Sequence, residues 1–204
     1  IEEARTNLCL QSEDFSTTWV NKECTVTANS ITSPSGESTA DLIVPTAVLD
    51  YHSMNQEITG AIGDRTYSVF LKSAGYRYAT INYGGSFIAV GVDLQDGTLT
   101  SNRTGVLSQS IENAGDGWYR VSMTFDSTVA SHNIFISVRD DQFIDANSVV
   151  NTFTGDGTNG IYAWGAQVEE ASAASSYIPT TTAAVTRNAD VLRYNTANWF
   201  ADGK

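Results

Sequence analysis

Apolar and polar residues alternate with a period of two along most of this chain, the pattern of strands that bury one face. Residues 66–72 put Tyr67, Val69 and Leu71 on one side and Ser68, Phe70 and Lys72 on the other. Residues 118–125 set Tyr119, Val121, Met123 and Phe125 against Trp118, Arg120, Ser122 and Thr124, and residues 132–139 set Ile134, Ile136 and Val138 against Asn133, Phe135, Ser137 and Arg139. Further strands are predicted over 7–11, 23–29, 40–44, 78–83, 86–94 and 108–113. In residues 51–58, simple counting puts His52, Met54, Gln56 and Ile58 on one face and Tyr51, Ser53, Asn55 and Glu57 on the other.

Turn signals separate these runs. They include Ser33-Pro34-Ser35-Gly36, Gly84-Gly85, Ala114-Gly115-Asp116-Gly117 and, strongest as a hairpin, Asp96-Gly97. Residues 140–152 read as an irregular connection. The small-residue tract 171–176 has room for one helical turn, and 191–194 is either a last strand or a handover to another domain. About ten short strands with turn signals roughly every 8 to 12 residues predict an all-β, antiparallel two-sheet β-sandwich of jelly-roll type.

Residues 153–179 organise this prediction. Gly155, Gly157 and Gly160 are expected to supply the positive-φ positions of a polar turn, followed by the central strand of the sandwich. Tyr162, Trp164 and Val168 are expected to share a face of it. Gly165 and Ala166 are too small to fill a core, so another backbone must approach there. The domain is placed at 1–194, with 195–204 as a tail or linker.

With 204 residues and 41% hydrophobic content, the chain is long enough to close a core as one domain. A formal net charge of −12 argues against nucleic acid, anionic lipid or polyanionic glycan as partner, since repulsion opposes each. No apolar run is long enough for a membrane-spanning helix, so membrane insertion is not expected, and the first residues lack the basic and apolar regions of a signal peptide. Cys9 and Cys24, the only cysteines, have no CxxC or histidine neighbours; they read as two buried thiols or as one disulfide.

Enzymatic patterns are missing from the sequence. No strand carries the alternating carboxylates of a sandwich glucanase, and no Gly-x-Ser-x-Gly elbow occurs. His52 with Gln56, and Arg120 with Arg139, would imitate a polysaccharide lyase only by converging in space. Binding a neutral sugar needs an aromatic face and planar polar groups on a rigid sheet. The outward stripes Trp118-Arg120-Ser122, Phe135-Ser137-Arg139 and Tyr78-Thr80-Asn82 have that mixture. Trp118, Trp164, Tyr119 and Tyr162 read instead as core or belt residues.

The block from Gly155, Gly-Asp-Gly-Thr-Asn-Gly-Ile-Tyr-Ala-Trp-Gly-Ala-Gln-Val-Glu-Glu, carries a resemblance together with Ser176-Tyr177-Ile178-Pro179 and Val185-Thr186-Arg187-Asn188-Ala189-Asp190. With Arg5-Thr6-Asn7-Leu8 and Gly115-Asp116-Gly117-Trp118-Tyr119-Arg120, it is similar to carbohydrate-binding-type jelly-roll domains of phage tail-fibre and head-spike proteins, of CBM4/9-like or concanavalin A-like type. The resemblance implies a virion or extracellular location, neighbouring domains in a longer chain, and a homo-oligomer as one arrangement. Related modules often hold a structural calcium near the seam of first and last strands, where Glu13, Asp14, Gln167 and Glu169 would be its donors; no cofactor is otherwise required.

The expected function is a non-catalytic module binding a neutral poly- or oligosaccharide. Its candidate contacts are His52, Gln56, Tyr78, Asn82, Arg120, Phe135 and Arg139, the first two on the premise that their strand is bulged or at an edge. Two other readings stand beside it: a structural or oligomerisation domain of a fibre, and a lyase or glycosidase.

Overall fold

A computed structural model describes residues 1–84, 88–102, 104–142 and 151–192. It is all-β. The first sheet has six strands, which from edge to edge are β10 (Thr98–Asn102), β9 (Ile88–Asp93), β8 (Tyr78–Tyr83), β13 (Ser131–Arg139), β6 (His52–Thr59) and β2 (Val20–Lys22). The second, also six-stranded, runs β11 (Val106–Gly115), β12 (Trp118–Ser127), β7 (Gly63–Ala74), β15 (Gly160–Glu169), β4 (Ala40–Pro45) and β3 (Cys24–Ile31). Two small ribbons complete the fold, β1 (Arg5–Asn7) with β16 (Val185–Arg187) and β5 (Leu49–Asp50) with β14 (Phe153–Thr154). All these pairings are antiparallel, and the chain crosses repeatedly between the sheets, as in a jelly roll.

The core is the space between the sheets. Met54, Ile58, Ala79, Ile81, Val90, Val92, Ile134, Ile136 and Val138 enter it from the first sheet, and Tyr67, Val69, Leu71, Val121, Met123, Phe125, Ile161 and Ala163 from the second. Period-two alternation thus sends the intervening residues to the two outer faces. Burying each large side chain is worth about 1.5–3 kcal/mol, so register is held firmly wherever one face is apolar.

β15 is interior, between β7 and β4, as predicted for a central strand. Its face assignment needs correction. The register against β7 shifts between Trp164 and Gln167, with Gly165 at φ 65, so Tyr162 and Trp164 face outward while Ala166 and Val168 turn into the core. The expected close approach is supplied by residues 7–12: Leu8 N donates to Val168 O at 2.8 Å, and Ala166 N donates to Ser12 O at 2.9 Å. Of the three glycines expected to have positive φ, only Gly157 does, at +71, while Gly160 is the first residue of β15. Gly160 is required for space: a Cβ there would lie 2.1 Å from Ile43 O.

Residues 171–176 make bends and no helical turn. Two threonines of the second sheet hold the tract against it, Thr66 Oγ1 donating to Ala171 O at 2.8 Å and Thr124 Oγ1 to Ser172 O at 3.2 Å. Cys9 and Cys24 are both free and buried. Val191 and Leu192 are not in a strand, and the rest of the stretch 191–194, like the tail 195–204, lies outside the described residues.

Candidate functional site

The outer face of the first sheet is built from three cross-strand rows. One row is Asn55–Phe135–Asn82–Ala89, the next Ser53–Ser137–Thr80–Gly91, and the third Arg139–Tyr78–Asp93. The middle row is made of small side chains. Rows two residues apart on a strand are about 7 Å apart, so the flanking rows lie about 13 Å from each other with this row as a shallow trough between them, in which Ser137 is half-buried and Ser53 and Thr80 are buried. Crossing four strands, it is roughly 14 Å long.

Phe135, half-buried, stands in the first wall between the two asparagines of its row. Asn55 Nδ2 donates to Val20 O at 3.1 Å, which fixes that amide's orientation. Several polar atoms of this sheet lie buried without partners. Ser53 Oγ, Thr80 Oγ1 and Asn82 Oδ1, with Thr100 Oγ1 at the β10 bulge beside Gly91, are buried and have no hydrogen-bond partner among the described residues. Each such orphan costs about 1–3 kcal/mol, so a group of them on one face calls for a functional reason.

The second wall is charged but compensated. Arg77 Nε and Nη2 reach Asp93 Oδ2 at 2.8 and 2.6 Å, and Asp96 accepts a further bond from Nη2 at 2.5 Å. Burial alone would raise the Asp93 carboxyl, but Arg77 and the amides of Asp96 and Gln95 outweigh it and leave the group below its ordinary range. The Arg77 guanidinium also lies 5.3 Å from the centre of the Tyr78 ring, which is half-buried. Arg139, 3% exposed, donates from Nη2 to Asp141 Oδ1 at 2.7 Å.

Four of the seven sequence candidates therefore come together on this face: Tyr78, Asn82, Phe135 and Arg139. The other three do not. His52 and Gln56 point into the sandwich, as counting along the strand indicates, because β6 is an interior strand paired without a bulge to β13. The premise of a bulged or edge strand is thus corrected. The His52 ring nitrogens lie 2.5 Å from Glu23 O and 3.0 Å from Phe153 O, and Gln56 binds the backbone of Leu10.

Arg120 lies on the opposite side of the molecule, on the outer face of the second sheet. Its Nη2 donates to Ser68 Oγ at 3.0 Å, its guanidinium sits 5.4 Å from the Phe70 ring centre, and burial lowers its pKa. That face also carries Trp118 and Trp164, nearly fully buried, with indole N–H groups given to Thr32 O and Thr39 Oγ1. Ser53 and Asn55 were missed as site residues. Plain alternation contained the signal, since they flank the inward-facing Met54 along β6.

The four donors expected for calcium have other partners. Glu13 accepts from the Tyr177 hydroxyl at 3.1 Å, Asp14 from Ser16 and Thr17 of its own turn, and Gln167 donates to Glu169 at 2.8 Å. Among the described residues, no three acidic, histidine or cysteine side chains gather as a metal site would require. Glu13 and Asp14 line a groove of about 520 Å³ with Asn29, Asp41 and Thr180. Asp41 is occupied there, accepting from Phe15 N at 2.7 Å and Asn29 N at 2.9 Å.

No protein-family model and no curated protein matches the chain. Three solved structures are similar over most of its length. The enzymatically active domain of tailspike protein 4 from bacteriophage CBA120 is 14% identical, with a TM-score of 0.43 over 79% of this chain and 21% of that one. A Clostridium thermocellum endo-1,4-beta-D-xylanase comprising CBM22-1 and GH10 modules, complexed with xylohexaose, is 14% identical with a TM-score of 0.39, over 80% of this chain and 27% of that one. A mannan-recognising carbohydrate-binding module, TmCBM27, is 15% identical with a TM-score of 0.34, over 83% of this chain and 96% of that one. The chain thus spans about a fifth and about a quarter of the first two. These are likenesses of sandwich architecture alone.

Proposed function

We propose that the chain is a non-catalytic carbohydrate-binding module, whose neutral poly- or oligosaccharide lies in the trough on the outer face of the first sheet. The observation that carries this reading is the conjunction, on one face, of two half-buried aromatic rings, Phe135 and Tyr78, with the half-buried polar side chains of Asn55 and Ser137. A pyranose ring has an apolar face for an aromatic side chain and hydroxyls that both donate and accept, which suits the reachable hydroxyl of Ser137 and amide of Asn55. With a net charge of −12 and the trough's arginines paired to Asp93 and Asp141, an uncharged ligand is favoured over an anionic one.

The absence of catalysis is part of the same proposal. Asp93 is held ionised by Arg77, which suits it poorly to donate a proton to a glycosidic oxygen. Its setting, on this reading, is a larger phage or bacterial surface protein, on the virion or outside the cell.

Affinity electrophoresis against neutral plant, algal and bacterial polysaccharides tests it, with Phe135→Ala and a trough-filling Ser137→Trp as probes. Retardation of the parent chain that both substitutions weaken or abolish supports the trough. Retardation that neither affects moves the site elsewhere, and release of reducing sugar from a bound polysaccharide overturns the non-catalytic assignment.

A further inference from the structure

Four strands bound the two sheets, and three of them are poorly suited to accept another strand. β2 has three residues. β10 has five and a register shift between Leu99 and Ser101. β3 loses register between Thr27 and Ile31, where Asn29 takes a φ of 55 and its amide is given to Asp41 Oδ1. Shortness and bulges are the ordinary means of keeping sheet edges from pairing.

β11 has neither protection through its middle. It is ten residues long, is paired with β12 in unbroken register from Ser108 to Asn113, and contains no proline or lysine. No described residue makes a backbone hydrogen bond to its other side. Ser108, Gln109, Glu112 and Asn113 are exposed. The row of amides and carbonyls on that side is a template for one more strand.

We infer that β11 pairs antiparallel with β11 of a second copy of this chain, joining their second sheets edge to edge. A two-fold axis makes an antiparallel edge complementary to itself, since each outward N–H is turned onto an outward carbonyl. The net charge of −12 opposes self-association in general, so the contact needs a nearly neutral strip. β11 provides it. Its one charged residue, Glu112, stands across from Arg120 of β12. An axis at Ser110 sets Glu112 opposite Ser108 of the second copy, and an axis at Ile111 sets it opposite Ser110; only an axis at Glu112 itself would oppose two acids.

Sedimentation equilibrium of the full chain over a wide concentration range, with hydrogen exchange on the same samples, tests the pairing. The expected result is a mass rising from 22.0 kDa toward twice that value, with slowed exchange of the outward amides in 108–113 as the dimer fills. Ser110→Glu, which opposes two carboxylates with the axis at Ser110 and sets the new carboxylate against Glu112 with the axis at Ile111, is expected to return the chain to monomer, while Thr27→Glu on β3 leaves the dimer intact. A chain that stays monomeric at every concentration overturns the inference and leaves the edge to a foreign strand. A dimer in which β11 exchanges as fast as in dilute solution overturns it in favour of another face. That exchange readout needs no variant, so it decides the matter even if Ser110→Glu fails to fold.

Discussion

Gln56 holds the backbone of Leu10 with both ends of its amide: Oε1 accepts from Leu10 N at 2.7 Å and Nε2 donates to Leu10 O at 2.8 Å. The side chain thereby does for the 7–12 segment what a neighbouring strand would do, and ties that segment to the inner face of β6. Gln56→Leu strands two backbone groups at once and is expected to cost about 2–4 kcal/mol. Chemical denaturation should show the loss, and sugar retardation below the unfolding midpoint should be unchanged, because Gln56 faces away from the trough.

Phe135 should behave in the opposite way. Its ring is half-buried on the outer face, so Phe135→Ala removes ligand contact and little core. If the trough is the site, binding should weaken by about 1–3 kcal/mol, roughly 5- to 150-fold. Isothermal titration against the retarding polysaccharide, paired with a denaturation curve, separates the two effects.

The turn before β15 should be sensitive to acid. Asp156 accepts from Thr158 N at 2.8 Å and from Asn159 N at 2.7 Å, and Asn159 Nδ2 donates to it at 2.6 Å. The amide of Thr158 first, then the side chain and amide of Asn159, bring its carboxyl from 3.8 down to about 2. A depressed folded-state value means the contribution is present above about 4 and is lost as pH falls toward 2. Asp41 has the reverse sign: burial raises its carboxyl, so its contribution is largest when protonated and fades as pH rises. Proton chemical shifts of Thr158 and Asn159 amides should move in the lower window, and Asp156→Asn should abolish that movement.

Neither cysteine should react in the folded protein. Cys9 is fully buried and Cys24 nearly so; burial first, with Glu23 adding to it, pushes the Cys24 thiol up to about 12. Thiolate is the reacting species, so labelling with an aromatic disulfide near neutral pH should proceed only at the rate of opening. In denaturant, both thiols should titrate at once.

Gly160→Ala should destabilise although the added group is one methyl. The Cβ would press on Ile43 O, a backbone atom of the paired strand that cannot swing aside. An overpacking cost of about 1–3 kcal/mol is expected. Gly157→Ala, by contrast, meets open space, so its cost comes from the positive φ alone.

Alternation in the sequence was sufficient for the all-β class, the two-layer sandwich and the inward stripes of β6, β7, β8, β12 and β13, because each pattern is local and repeats every second residue. It even placed His52 and Gln56 correctly inside; the error was to expect a bulge in β6, where the real bulge falls at Gly165 and turns Val168 away from Trp164. Which outward stripes share a surface was decided only by tertiary structure. Phe135 and Tyr78 share a face because β13 pairs with β8 in the first sheet, whereas Arg120 was carried to the far side because β12 joins β7 in the second. Strand partnership is fixed by hydrogen bonds between segments far apart along the chain, and no window of sequence contains both partners.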